Sequence, residues 1–371
     1  MRNKRGSRCK AQRSRHRRQG GCRMKELRFF TVCPFHTASF GMGESIAPSE
    51  YVAAVRAQAA WADHNGMYGM VIYNFHSSLD PWLTAAEILR STAQLRPMVA
   101  VQPFHSHPYT VARQIATACY MHGRGIDLNV VVGATPSEVA MLGDTALGPD
   151  KHGRLREFCE IIRSLLVGEA SCDGEFYRVS ALSLSPPIPA EANVSLYVPG
   201  SSEQSAATVK AVADSSLLMA KPLERLREEL ARLDRPGLRQ AMIVGIVARE
   251  TEAAAWEAAR RMYGDNRKSR LASRMFVTRS DSGQHMSNLQ LAQEADVYDD
   301  ILWYGAPKTG IDAPKLVGSY EQVRNALERY IAAGITDIVL DLPEEPGDEY
   351  EHMLEAVRPL MNKAAALIAR A

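Results

Sequence analysis

The 371-residue sequence has no long hydrophobic run and few cysteines. No apolar stretch reaches the roughly 20 residues of a membrane-spanning helix, so we predict no membrane span and no membrane partner. The six cysteines form no C-x-x-C pair and no zinc-ligand spacing, which is typical of reduced thiols rather than of a metal site or a disulfide scaffold. We therefore expect a cytoplasmic protein.

Acidic residues are absent from residues 1–23, which contain ten Lys or Arg. A basic arm can bind nucleic acid, and an arginine-rich, acid-free start is typical of a transit peptide. This arm lacks the apolar face of a transit helix. We interpret residues 1–23 as a disordered basic arm, or as residues translated upstream of a true start at Met24, and we expect no nucleic-acid partner. A non-catalytic protein whose arm binds nucleic acid is the competing hypothesis.

A G-x-G-x-x-G motif is also missing after the first apolar run, which argues against a dinucleotide-binding doubly wound sheet. Instead, eight short apolar runs alternate with segments of helical periodicity. The predicted strands are Leu27–Pro34, Gly69–Asn74, Pro97–Pro103, Ile126–Gly133, Ser195–Val198, Ser215–Ala220, Ala241–Ala248 and Thr336–Leu342. Eight parallel strands with helical crossovers close a barrel. We therefore predict the α/β class, with a single (β/α)₈ TIM barrel over residues 24–371.

Residues 263–318 break this alternation and are polar. We predict that they form an insertion after strand seven that serves as a lid over the site. The competing architecture is the doubly wound sheet.

Histidines follow three of the predicted strands. Catalytic residues of such barrels lie at the carboxyl ends of the strands, and histidine moves protons near neutral pH. We predict that His36 and His76 are catalytic. His105 and His107 have no third ligand nearby in sequence, so we expect no metal site.

The stretch Gly200-Ser201-Ser202 stands where the fifth strand meets a helix. One interpretation is a turn with a serine N-cap. The other is an anion-binding site, because glycine permits close approach and a helix N-terminus offers free N–H donors with a partial positive charge.

Four motifs extend this pattern into a family resemblance. In order, the chain contains VARQIATACYMHGRGIDLNVVVGATPSE, REFCEIIRSLLVGE, LYVPGSSEQSAATVKAVAD and RSDSGQHM. These stretches resemble the bacterial luciferase-like flavin monooxygenases, and are most similar to the alkanesulfonate monooxygenase branch. The resemblance runs from about Leu27 to the C-terminus.

The resemblance implies a barrel that binds reduced FMN (FMNH₂), which reacts with O₂ to give a flavin hydroperoxide that oxygenates a small organic substrate. It implies a separate NAD(P)H flavin reductase, and we expect a homodimer or homotetramer. In this reading Gly200, Ser201 and Ser202 hold the flavin phosphate, and Lys151-His152 replaces the Arg-Tyr that the family usually has nearby. The other residues implied to bind cofactor are Asn74, Phe75, Gln102, Asn129, Gly133 and Glu138.

The substrate-binding positions depart from the alkanesulfonate pattern. That branch carries Arg-x-His on strand seven, where this chain has Ile243-Val244-Gly245. A sulfonate needs cationic donors, so we expect a less anionic substrate, such as a carrier-bound acyl or aminoacyl group in specialised metabolism. The alternative function is a deazaflavin-dependent dehydrogenase or reductase on the same barrel.

Overall fold

The computed structural model describes residues 8–9, 26–36, 46–75, 78–133, 136–143, 151–189, 192–200, 202–263, 283–306, 313–343 and 347–368. For residues 8–9, 136–138 and 364–368 it describes the backbone alone.

Strands and helices alternate along most of these ranges. The strands are β1 (Arg8–Cys9), β2 (Arg28–Val32), β3 (Gly69–Ile72), β4 (Arg96–Val101), β5 (Asp127–Val130), β6 (Glu169–Asp173), β7 (Arg178–Ser183), β8 (Leu196–Pro199), β9 (Ser215–Met219), β10 (Arg239–Arg249), β11 (Val297–Tyr298), β12 (Leu302–Trp303), β13 (Lys315–Ser319) and β14 (Asp337–Leu340). The helices are α1 (Pro48–His64), α2 (Pro81–Ser91), α3 (Pro108–His122), α4 (Pro136–Met141), α5 (Lys151–Val167), α6 (Glu203–Val212), α7 (Leu223–Arg232), α8 (Glu252–Met262), α9 (Gly283–Glu294), α10 (Tyr320–Ala332) and α11 (Asp348–Ile368).

Eight parallel strands close into a barrel, which confirms the predicted (β/α)₈ fold. The neighbours around the barrel are β2, β3, β4, β5, β8, β9, β10 and β14, and β14 pairs with β2 to complete the circle. Each of the eight predicted strands coincides with one of these. None of the helices in the described part of the chain is long and apolar enough to cross a membrane.

The strands are apolar on both faces because each is covered on both sides. In β2, Phe29 packs outward with the helices, while Phe30 and Val32 point into the barrel. Inside, Phe30 meets Tyr197 of β8 edge-on, with ring centroids 5.8 Å apart. The interior is therefore a packed core rather than a channel.

Ion pairs close the end of the barrel where the strands begin. Arg96 of β4 pairs with Asp127 of β5 at 3.1 Å, and Arg239 of β10 pairs with Asp337 of β14 at 2.8 Å. The Tyr197 hydroxyl donates a hydrogen bond to Asp337 Oδ1 at 3.2 Å. Both aspartates are fully buried, so these contacts supply the partners that buried charges require.

Three features differ from the sequence prediction or add to it. An antiparallel hairpin, β6–β7, was not predicted, and β1 pairs with it although it lies within the predicted basic arm. β13, which lies in the predicted insertion, pairs in parallel with residues Gly245–Arg249 at the C-terminal end of β10. Cys172 of β6 is disulfide-bonded, so the prediction of reduced thiols is wrong for this residue. Free thiols remain at Cys33, Cys119 and Cys159.

Candidate active site

A cavity of about 440 Å³ opens at the carboxyl ends of the barrel strands. This is the end at which TIM-barrel enzymes carry their active sites. Residues that follow β3, β4, β5, β8 and β14 contribute to its wall, and the N-terminal parts of α5, α6 and α9 complete it. The cavity therefore gathers residues that are widely separated in sequence.

Amide side chains line the wall formed by β3, β4 and β5. Gln102 donates from Nε2 to the carbonyl of Asn74 at 2.8 Å, and Asn74 donates from Nδ2 to the carbonyl of Ala100 at 3.3 Å. The Oε1 atom of Gln102 and the Oδ1 atom of Asn129 are buried and have no hydrogen-bond partner among the described residues. An unpaired buried acceptor costs about 1–3 kcal/mol. A ligand with N–H donors would supply the missing partners.

Two helix N-termini meet at another side of the cavity. Ser202 caps α6, because its Oγ accepts from the backbone N–H of Ser205 at 3.2 Å. The first two residues of α5 are Lys151 and His152, and His152 contacts the same helix, with its Nδ1 3.4 Å from Thr208 Oγ1. All of these residues except Thr208 line the cavity. The two helix dipoles and a lysine on this side of the cavity, here called the anion-binding side (Lys151, His152 and Ser202), together favour an anion such as a phosphate.

Two glycines give this wall its shape. A Cβ on Gly200 would lie 3.0 Å from Cβ of Ser205 and 3.1 Å from Cγ2 of Val209, so glycine lets α6 pack closely on the end of β8. Gly133 has a φ of +110°, and a Cβ there would lie 2.8 Å from the Phe104 ring. Gly133 therefore needs glycine for its backbone conformation, whereas at Gly200 the lack of a side chain allows the close packing.

An aromatic group borders the cavity beside β3. Tyr73 and Phe75 line it, and their ring centroids are 5.8 Å apart. Phe35, after β2, stacks on Tyr73 at 5.8 Å. These rings give this part of the wall an apolar surface that suits a planar ligand.

The N-terminus of α9 brings two polar residues that the sequence analysis did not assign. Gln284 accepts from the N–H of Met219 at 2.8 Å and donates to the carbonyl of Leu217 at 2.9 Å, which fastens α9 to the end of β9. His285 lines the cavity. Desolvation by the surrounding protein lowers its pKa to about 4. The motif RSDSGQHM contained both residues and was the available signal.

A buried ion pair forms the wall opposite the anion-binding side. Asp341, directly after β14, accepts from Lys315 Nζ at 2.9 Å and from the N–H of Ala313 at 3.3 Å. Asp341 and Ala313 line the cavity together with Ile243 of β10. The sequence analysis assigned no role to Asp341, and Lys315 lies in the predicted polar insertion. The pair is formed between residues 26 positions apart, so local patterns did not reveal it.

The structure brings most of the predicted cofactor-binding residues together. Those lining the cavity are Asn74, Phe75, Gln102, Asn129, Gly133, Lys151, His152, Gly200 and Ser202. Glu138 lies in α4, with its side chain outside the described atoms, and His76 and Ser201 lie outside the described residues. Their roles stay predictions.

His36 is not among the residues that line the described cavity. Its ring meets Tyr51 of α1 edge-on, with centroids 6.2 Å apart, and its catalytic role stays a prediction. In the described part of the chain, His, Cys, Asp and Glu form no group of three that could hold a metal ion. His107 instead caps α3, accepting from the N–H of Tyr109 at 3.2 Å.

Comparisons with known proteins bear on this site. A family model described as luciferase-like monooxygenase matches residues 27–337. A curated relative from Niallia circulans is named 4-(gamma-L-glutamylamino)butanoyl-[BtrI acyl-carrier protein] monooxygenase BtrO. It is 31% identical over 287 residues, which span 76% of this chain and 84% of the relative.

Solved structures share the fold at low identity. Riboflavin lyase (RcaE), solved with modified FMN and its substrate riboflavin, superimposes with a TM-score of 0.74 at 17% identity and covers 92% of each chain. The coenzyme F420 dependent tetrahydromethanopterin reductase from Methanopyrus kandleri superimposes with a TM-score of 0.62 at 15% identity, over 90% of this chain and 97% of that chain. At these identities the likeness shows a common fold.

Proposed function

Since this chain belongs to the luciferase-like monooxygenase family, we propose that it is an FMNH₂-dependent monooxygenase that oxygenates an acyl or aminoacyl group presented by a carrier protein. A separate NAD(P)H flavin reductase would deliver the reduced flavin. The proposal includes a homodimer or homotetramer, a cytoplasmic location, and a barrel domain over residues 24–371 that follows the basic arm of residues 1–23.

The observation that carries the proposal is the pair of unpartnered buried oxygens, Gln102 Oε1 and Asn129 Oδ1. A reduced flavin ring presents N–H donors, so these acceptors fit it. The anion-binding side formed by α5 and α6 fits the phosphate of FMN, with Lys151, His152 and Ser202 as the residues that would hold it. When bound, the reduced flavin supplies the electrons that activate O₂.

The chain itself supplies orientation and a dry surface. Gln102 is fixed by its bond to the carbonyl of Asn74, so its free oxygen is presented in one position. The rings of Tyr73 and Phe75 keep water away from that part of the wall. The neutral ring of His285 can accept a proton at the cavity surface, although its low pKa of about 4 makes it a weak base.

The substrate class rests on the curated relative, whose name gives a carrier-protein-bound substrate. It also agrees with the apolar Ile243 that β10 presents to the cavity, where a sulfonate would need cations. The substrate that we propose is therefore not an alkanesulfonate.

Anaerobic titration with reduced FMN, oxidised FMN and a reduced deazaflavin tests the cofactor. We expect saturable binding of reduced FMN, weaker binding of oxidised FMN, and at least about tenfold weaker binding of reduced FMN by Asn129→Leu. The matched control is Gln114→Leu, because Gln114 Oε1 is also an unpartnered buried oxygen but lies outside the cavity.

Turnover separates the two candidate reactions. A monooxygenase incorporates one atom of ¹⁸O₂ into the product and needs the reductase and NAD(P)H. The fold likeness to the F420-dependent reductase favours hydride transfer as the second candidate, which would proceed without O₂. The proposed cofactor would be refuted if reduced FMN did not bind saturably, or if Asn129→Leu bound it with the same affinity as the wild type.

A further inference from the structure

Met219, the last residue of β9, brings a thioether side chain to the cavity wall. Along β9, Leu218 packs outward with the helices, whereas Leu217 points into the barrel. Alternate residues of a strand share a face, so Met219 points the same way as Leu217, and both line the cavity. Among the described residues, Met219 is the only methionine that lines it. Its sulfur is therefore placed to meet an oxidant that forms in the cavity.

Helix α9 holds this sulfur in one orientation. Asn288 donates from Nδ2 to Met219 Sδ at 2.8 Å. The backbone N–H of Met219 donates to Gln284, one turn earlier in α9, also at 2.8 Å. A thioether sulfur carries lone pairs on two faces, and the Asn288 amide occupies one of them. The close contact leaves no room for an oxygen atom between Asn288 and the sulfur, so only the other face can react.

Other sulfur atoms compete poorly for an oxidant in the cavity. Cys33 and Cys159 do not line it. Burial raises the pKa of both thiols to about 12, so neither supplies the reactive thiolate. Met121, in the last turn of α3, is 68% exposed and also lies outside the lining. Met121 is thus open to an oxidant in bulk water, which makes it the natural reference for Met219.

We propose that Met219 is a site of oxidative self-modification, at which peroxide formed in the cavity converts the thioether to a single sulfoxide epimer whose oxygen projects into the cavity. This inference rests on the proposed function, because reduced flavin that reacts with O₂ without oxygenating a substrate yields H₂O₂. The sulfur bonds to one peroxide oxygen, the O–O bond breaks, and the other oxygen leaves as water. The sulfur loses two electrons and the peroxide gains them.

The modification has a consequence for ligand binding. Leu217 and Ile243 give the cavity an apolar surface near the end of β9, and a sulfoxide oxygen would add a polar atom there. It would also occupy space that the flavin and the substrate share. Met219 would therefore lower cofactor binding when the enzyme consumes O₂ without substrate, and methionine sulfoxide reductases would reverse the change.

Two oxidation conditions test the source of the peroxide. In the first, a flavin reductase and NAD(P)H supply reduced FMN in air without substrate, and catalase destroys the H₂O₂ that reaches bulk water. In the second, H₂O₂ is added to the protein without flavin or catalase. Peptide mass spectrometry measures the sulfoxide at Met219 and Met121. With catalase present, Met219 should be oxidised at least about tenfold faster than Met121, because peroxide formed in the cavity meets it first. With added H₂O₂, Met121 should be oxidised faster.

The configuration of the sulfoxide tests the role of Asn288. The two classes of methionine sulfoxide reductase each act on one epimer, and both are applied to the proteolytic peptide that contains Met219. One class should reduce at least about nine-tenths of the sulfoxide and the other the remainder. Asn288→Leu has a similar volume without the donor and should yield a mixture of epimers. The matched control is Gln290→Leu on the same helix, where Gln290 binds Glu294 at 2.8 Å on the exposed surface. It should keep the single epimer.

Anaerobic titration tests where the sulfoxide oxygen lies. Wild type oxidised in the first condition should bind reduced FMN at least about fivefold less tightly than untreated wild type. Met219→Leu cannot form the sulfoxide and should keep its own untreated affinity after the same exposure. Unchanged affinity of wild type with Met219 fully oxidised would refute an oxygen that projects into the cavity.

The outcomes separate this inference from the proposed function. If reduced FMN binds saturably but Met219 is not oxidised ahead of Met121 in the presence of catalase, the self-modification is refuted and the monooxygenase proposal stands. A mixture of epimers in the wild type refutes the role of Asn288. Faster oxidation of Met219 than of Met121 by added H₂O₂ refutes the cavity as the source. If reduced FMN does not bind, the proposed function fails and this inference fails with it.

Discussion

The two ends of the barrel treat buried polar groups in opposite ways. Where the strands begin, Asp337 accepts from Arg239, Tyr197 and Thr336, and Asp127 from Arg96. Where the strands end, Asn129 has a buried side-chain oxygen that no described residue satisfies. The first end is organised for stability, whereas the second leaves free the hydrogen-bonding capacity that a ligand can use.

Substitutions at equivalent depths should separate these roles most strongly. Asp337→Ala strands the buried guanidinium of Arg239 and should cost about 3–5 kcal/mol of unfolding free energy. Asn129→Leu removes an unsatisfied oxygen at similar volume and should change stability by less than about 1 kcal/mol. Urea unfolding of the apo-protein, followed by circular dichroism, measures both.

The milder variant Asp337→Asn guards against a complete loss of folded protein. It keeps the shape and should lie between the wild type and Asp337→Ala. Equal destabilisation by Asp337→Ala and Asn129→Leu would contradict the distinction between the two ends.

Acidification provides a second test, through His285 at the cavity end. Its pKa in the folded protein is about 4, against 6.5 for the ordinary side chain. Between these values the unfolded chain binds the proton and the folded protein does not, so stability falls as the pH falls from about 6.5 towards 4. His285→Gln should remove at most about 3 kcal/mol of this loss.

Urea unfolding at pH 7.5, 6, 5 and 4.5 measures that difference. At pH 7.5 both the folded and the unfolded histidine are neutral, so any gap between wild type and His285→Gln there reports packing alone. At lower pH the free energy of unfolding of His285→Gln should rise relative to that of the wild type. If the difference between the two free energies stayed constant down to pH 4.5, a desolvated histidine at the cavity would be contradicted.

The barrel could be predicted from sequence because its strands are local signals. Runs such as Gly69–Ile72 and Leu196–Pro199 are continuous and apolar since helices and core cover both faces. The hairpin β6–β7 has polar, half-exposed strands, and the alternating burial of Glu169–Asp173 is too short a pattern to separate from a loop.

In the candidate site, the residues predicted to bind a cofactor could be found from the sequence, whereas the Lys315–Asp341 wall could not. Gly200 and Ser202 lie two positions apart in the sequence at a strand–helix junction, where local sequence carries the signal. Lys315 and Asp341 become neighbours through the pairing of β13 with β10, which depends on the tertiary fold. Gly245 appeared as the loss of a substrate cation, whereas the structure shows that its missing side chain admits Lys315.

The smallest expected effect distinguishes a helix cap at the cavity from one elsewhere. Ser202→Ala removes the cap of α6 and should cost about 1 kcal/mol of stability. Thr251→Ala removes the equivalent cap of α8, where Oγ1 accepts from the N–H of Ala254 at 3.3 Å, and should cost about the same. Only Ser202→Ala should also weaken reduced-FMN binding, by about fivefold to tenfold, because Ser202 lines the cavity and Thr251 does not. Anaerobic titration of both variants measures this, and equal affinities would show that Ser202 serves the helix alone and leave the phosphate to Lys151 and His152.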